Sequence, residues 1–122
     1  MLPQENRLRR TDDLKRVRQH GRSRRHPLLI MIVSGNQVQK SRFAFVTSRR
    51  IGTAVIRNRV KRLLRESVRL SLDRIEPGWD CVLIANPSIA QVSFAEVQSV
   101  VLQLLDRLHI LIDPAQEINS ER

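Results

Sequence analysis

The chain has 122 residues, with 22 Lys and Arg against 12 Asp and Glu, a formal net charge of +10. That length fits one domain with a real core, and its single cysteine, Cys81, excludes an internal disulfide and a cysteine-built zinc site. No hydrophobic leader opens the chain and no apolar run reaches membrane-spanning length, so a cytoplasmic protein without membrane contact is expected. The charge is unevenly placed: residues 1–74 carry a net +15 and residues 75–122 a net −5. Arginine supplies nearly all of it, with lysine only at Lys15, Lys40 and Lys61. The guanidinium fork matches phosphate, so the balance points to nucleic acid.

In chain order, residues 1–10 (MLPQENRLRR) read as a loosely held basic arm. Thr11 is placed to cap a short helix with Asp12 and Asp13 in its first turn and Gly21 at its end. Leu14 and Val17, three apart, share its inward face. GRSRR (21–25) is basic and extended, and LLIMIV (28–33) reads as a strand buried on both faces. After the Ser34-Gly35-Asn36 turn, RFAFVTS (42–48) alternates, Phe43, Phe45 and Thr47 against Ala44 and Val46. An antiparallel hairpin of these two strands is expected.

The stretch 49–69 (RRIGTAVIRNRVKRLLRESVR) forms a helix capped by Thr53. At 100° per residue, Ile56, Val60, Leu63, Leu64 and Leu70 fall on one side. Asn58, Lys61, Arg62, Arg65 and Arg69 fall opposite, flanked by Arg57 and Arg59. Glu66 is the only acid among eight Arg and Lys here. Ordinary solvated faces mix signs, because opposite charges at i,i+4 relieve self-repulsion. A face this uniformly cationic points to a polyanion. Glu76-Pro77-Gly78 is a turn, WDCVLIA (79–85) a further buried strand, and Ser93 with Glu96 a capping box before a core-facing helix that stops near Asp113-Pro114. The tail, 113–122, is polar and frayed, which leaves 11–112 as the folded domain.

A catalytic constellation is hard to find. The three histidines are scattered, Asp12 and Asp13 suit a helix start, and no other acids cluster as a two-metal nuclease requires. Walker, GxSxG and CxxC motifs are missing. Aromatic residues are few, so binding leans on phosphate contacts and shape. A nucleic-acid-binding module is favoured over a stand-alone nuclease, and a basic ribosomal-type binder remains an alternative.

The run RIGTAVIRNRVKRLLRE (50–66) closely resembles KxGxAVxRNxxKRxxRE, the defining motif of the bacterial ribonuclease P protein subunit. NRLRRTDDLKRVRQHG, RFAFVTSRRIG and WDCVLIANP resemble its first helix, the strand entering the motif and its last strand. The likeness spans roughly residues 6–110. It implies an α+β single-domain sandwich, α-β-β-β-α-β-α, like ribosomal protein S5 domain 2 with a left-handed βαβ crossover.

By function, the resemblance implies the accessory subunit of an endoribonuclease that removes the 5′ leader from precursor tRNA. The RNA subunit performs the hydrolysis with bound Mg²⁺, and the protein joins it 1:1. Position by position, RNA-subunit contacts fall on Arg57, Asn58, Arg59, Lys61, Arg62 and Arg65. Leader contacts fall on Leu14, Arg18, Met31 and Phe45, in a cleft between first helix and sheet, with Arg49 and Arg50 as the basic pair at the strand end. Relatives often carry aromatic residues at the positions of Leu14, Arg18 and Met31. Without those rings, leader stacking weakens by roughly 1–3 kcal/mol per base.

Overall fold

A computed structural model describes residues 2–112. Helix α1 (Thr11–His20) is followed by strands β1 (Arg22–Arg25), β2 (Leu29–Gly35) and β3 (Arg42–Val46), helix α2 (Ala54–Ser71), strand β4 (Trp79–Ala85) and helix α3 (Phe94–Arg107). The order matches the α-β-β-β-α-β-α expectation. The strands form one sheet in the order β1-β2-β4-β3.

That order corrects the expected hairpin. β2 pairs antiparallel with β1 and with β4, whereas β3 pairs with β4 in parallel. The reason lies in burial. Cys81, Val82 and Leu83 are all fully buried, so β4 takes the centre, and β3 is left at an edge. The loop after β2 is pinned open by the Asn36 N–H donating to the Gly78 carbonyl at 2.7 Å, which makes room for β4. The true hairpin is β1–β2, with the His26 N–H bonded to the Leu29 carbonyl at 2.9 Å.

The pairing register sorts the side chains into rows across the sheet. Val33, Cys81 and Phe43, then Met31, Leu83 and Phe45, face α2 and α3 in the main core. Ile32, Val82 and Ala44, then Ile30, Ile84 and Val46, lie on the other face. There α1 sets Val17 and Leu14 against Ile32, Val46 and Ile84. The sheet is thus sandwiched unequally, with two helices beneath and one short helix above.

Several local expectations are revised. Residues 2–10 are packed rather than loose. Leu2 and Leu8 are buried, Asn6 donates to the Ser41 carbonyl at 2.7 Å, and Arg7 bridges Phe43 in parallel. Thr11 is the first helical residue, and Arg10 occupies the cap without a side-chain bond. Leu70 is 45 % exposed; the buried stripe runs Val60, Leu64, Ser67, Val68 and Ser71 instead. Thr53 does cap α2, accepting from the Ile56 N–H. Ser93 accepts from the Glu96 N–H at 3.2 Å, the forward half of a capping box. Helix α3 ends earlier than the proline suggests. His109 adopts a left-handed φ of 60°, and the His109 and Ile110 N–H groups bond back to the carbonyls of Asp106 and Leu105. This is a Schellman closure. The expected tail, 113–122, lies outside the described residues.

Gly21 ends α1 for a reason other than a left-handed turn, since its backbone is extended. A Cβ there would stand 2.5 Å from the Val17 carbonyl oxygen and 2.8 Å from that of Val33. Both are main-chain atoms that cannot yield. Gly21→Ala is therefore expected to cost about 1–3 kcal/mol, the usual overpacking range, read as a lower urea midpoint at unchanged slope. An unchanged midpoint would mean that α1 is not held this close to β2.

Candidate nucleic-acid interface

The cationic helix is aimed by its two ends. β3 runs out at Val46, and a 3-10 turn at Arg49–Ile51 buries Ile51 while leaving Arg49 and Arg50 exposed. Gly52 then adopts a φ of 149°, a region that favours glycine, and α2 starts. Its Val60, Leu64 and Val68 are fully buried, which fixes the opposite face outward.

The outward face divides in two. Asn58, Arg59, Arg62 and Arg69 are exposed, whereas Arg57, Lys61 and Arg65, at i, i+4 and i+8, are half-buried. One cavity is lined by Arg57, Asn58, Lys61 and Thr47. A second brings Arg65 to Phe45, Val46 and Leu14. Arg59 donates to the Ala90 carbonyl at 2.6 Å, so one of its N–H groups is already committed. The lone acid of the stretch is neutralised locally. Arg69 hydrogen-bonds Glu66 and holds its carboxyl below the ordinary value. The rest of the field is left unbalanced.

Above the sheet, α1 covers only part of its face. Ile30, Ile84 and Val46 form a half-exposed aliphatic row in register, with Arg25 at the β1 end. Leu14 and, one turn on, the exposed Arg18 form its wall. Leu14 and Phe45 both line a cavity at the outer edge of β3, but the Phe45 side chain lies on the sheet face toward α2 and α3, so it is turned away from the trough. Met31 is turned away too. It is fully buried on that same face, against Leu83 and the core over α2 and α3. Its place in the trough is taken by Ile30 and Ile32. The continuous apolar run of β2 hid this, because period-2 alternation shows a face only where polar residues interrupt it.

Helix α1 is fixed over the sheet by Asp80, whose side chain is fully buried. Arg42 reaches it through two bonds of 2.8 Å, Asn36 through one of 2.8 Å, and Arg16 from α1 through another. Burial pushes this carboxyl up, but the bonds from Arg42, Asn36 and Arg16 outweigh that and hold it below the usual carboxylate range. Sequence reading missed this cluster, since its members come from four separate segments. Cys81 beside it is buried, and burial pushes its thiol up, which makes it an inert core residue. Among the described residues no three His, Cys, Asp or Glu side chains gather as a metal-ligand set, and no helix is long and apolar enough to cross a membrane.

Fold and surface together define a small α/β module with a cationic helix face and an open trough across its sheet. The ribonuclease P family model matches residues 2–109. The ribonuclease P protein component of Roseiflexus sp. (strain RS-1) is 42% identical over 106 residues, covering 86% of this chain and 87% of that protein. That of Herpetosiphon aurantiacus is 36% identical over 121 residues, covering 99% and 98%. Among solved structures, the RNase P protein from Thermotoga maritima aligns at 30% identity with a TM-score of 0.77, covering 83% of this chain and 96% of that one. The Staphylococcus aureus RNase P protein, 22% identical, shares the fold at a TM-score of 0.80, covering 86% and 96%. The chain belongs to the ribonuclease P protein family.

Proposed function

We propose that this chain binds the RNA subunit of ribonuclease P through α2 and the 5′ leader of precursor tRNA through the trough, assisting endonucleolytic removal of that leader in the cytoplasm. The observation that carries the reading is the exposed face of Asn58, Arg59 and Arg62, whose two arginines meet no acid among the described residues, with Arg49 and Arg50 exposed on the turn that joins β3 to α2. Phosphate neutralisation by such a face supplies affinity without sequence information. Hydrolysis is assigned to the RNA subunit, with Mg²⁺ held by that RNA and the substrate; this chain's residues bind, orient and screen charge, in 1:1 association.

The trough sets the leader chemistry. An aliphatic floor of Ile30, Ile84 and Val46 offers van der Waals contact to any base, and Arg18, Arg25, Arg49 and Arg50 offer charge to phosphates. Ile30→Phe should therefore tighten precursor but not mature tRNA by about fivefold or more, the low end of base–aromatic stacking, in holoenzyme binding assays. Equal tightening of both tRNAs would remove Ile30 from the leader path. Met31→Phe should instead overpack the main core, lowering stability by about 1–3 kcal/mol without changing leader affinity.

A further inference from the structure

The cavity beside the outer edge of β3, about 270 Å³ in volume, has main-chain hydrogen-bonding groups at Phe45 without a partner among the described residues. Among the described residues the N-terminal segment bridges β3 at one place, where Arg7 faces Phe43 and the Leu8 N–H donates to the Phe43 carbonyl at 2.9 Å. Strand groups alternate in direction, so the N–H and C=O of Phe45 point the same way as those of Phe43. To meet them the segment would have to continue alongside β3. Instead it turns at Arg10 into α1. Leu14 walls one side of the opening, and Arg7, Arg9 and Arg65 surround it.

The cavity is in line with a second one. Arg57, Lys61 and Arg65 run along α2 facing first Thr47 and then Phe45. Arg57 Nε is buried there and has no hydrogen-bond partner among the described residues. A bare donor of this kind in a cationic groove calls for an acceptor.

We propose that this groove holds one single-stranded segment of the RNA subunit, with its backbone along Arg57, Lys61 and Arg65 and one unstacked base set against the open edge of β3 at Phe45. The proposal rests on the reading above and adds a subsite to it. A peptide strand is a poor occupant, because β3 ends at Val46 and leaves one open residue beyond the Arg7 bridge, and three guanidinium groups surround the opening. The RNA subunit is favoured over the leader on chemical grounds. A fixed main-chain donor and acceptor discriminate between base edges, which suits a partner of one sequence. Leaders differ from one precursor to the next and suit the aliphatic trough.

Arg9 is the residue to test, since it is exposed and makes no side-chain hydrogen bond or ion pair among the described residues. Cys81 is fully buried, so Arg9→Cys supplies a single accessible thiol. Labelled there with a benzophenone and assembled with ribonuclease P RNA, the protein should photocrosslink to one unpaired segment of that RNA before precursor is added. Gln103→Cys, on the exposed side of α3, is the control. Arg9→Ala should weaken RNA-subunit binding about tenfold, the loss of one charge-assisted contact, with thermal stability unchanged and Arg9→Lys recovering part of the affinity. Crosslinks only to the leader, or none above the control, would overturn the proposal. If the unmodified holoenzyme cleaves precursor while these fail, the subsite alone is wrong; if it does not cleave, the broader reading falls with it.

Discussion

Asp80→Ala is expected to lower stability by about 3–5 kcal/mol, the usual consequence of removing one partner from a buried ion cluster. The carboxylate joins α1, β3 and the loop after β2 through Arg16, Arg42 and Asn36. Without it Arg16 and Arg42 are left with Asp13, at 3.6 and 3.8 Å, as their shared counter-charge. The loss should sit at the lower end, because Arg16 is 36 % exposed and can turn to water. The acid limb follows the same carboxyl. Its folded pKa is depressed, so its contribution is fully present above the unfolded carboxylate value of about 3.9 and is lost as pH falls through the lower folded value. Urea midpoints should therefore show that contribution intact from pH 7 to about 4 and declining below. In Asp80→Asn that part of the decline should vanish. A midpoint unchanged in Asp80→Ala would mean that Val17, Leu14 and the Asp13–Arg42 pair hold α1 without it.

Arg62→Ala should weaken binding to ribonuclease P RNA by about tenfold, as expected for one charge-assisted phosphate contact. It should also reduce the slope of log K against log salt by about one unit. Arg62 is exposed on the outer stripe and makes no side-chain bond among the described residues, so its removal should leave the melting temperature alone. Arg69→Ala should have a smaller effect, since Arg69 is already paired with Glu66. A salt titration in which both variants match the parent would remove the outer stripe from the interface.

What could be read from the chain and what could not divides by distance along it. Helix α2, its Thr53 cap and its buried Val60 and Leu64 follow from local periodicity, and so do the alternating faces of β3. Register and sheet order depend on pairs far apart in sequence. β4 entering between β2 and β3 left no local mark, so the expected hairpin was wrong. The family resemblance put Met31 in the trough, one residue from the neighbours that face it, and LLIMIV has no polar residue whose alternation would have corrected it. Leu70 was lost to the drift of the stripe toward Val68 and Ser71, where small serines let α2 pack closely. Asp80 looked like an acid in a strand, and only the fold brings Arg16, Asn36 and Arg42 to it. The division of the cationic face into an outer stripe and a groove was equally hidden. Which arginines stand beside the edge of β3 is a tertiary fact.

The most direct test is cleavage of precursor tRNA at low Mg²⁺ with the protein alone, with ribonuclease P RNA alone, and with both. The account predicts cleavage to the mature 5′ end with the mixture, little with the RNA alone under these conditions, and none with the protein alone. Cleavage by the protein alone, or a cognate RNA whose activity the protein fails to raise, would contradict it.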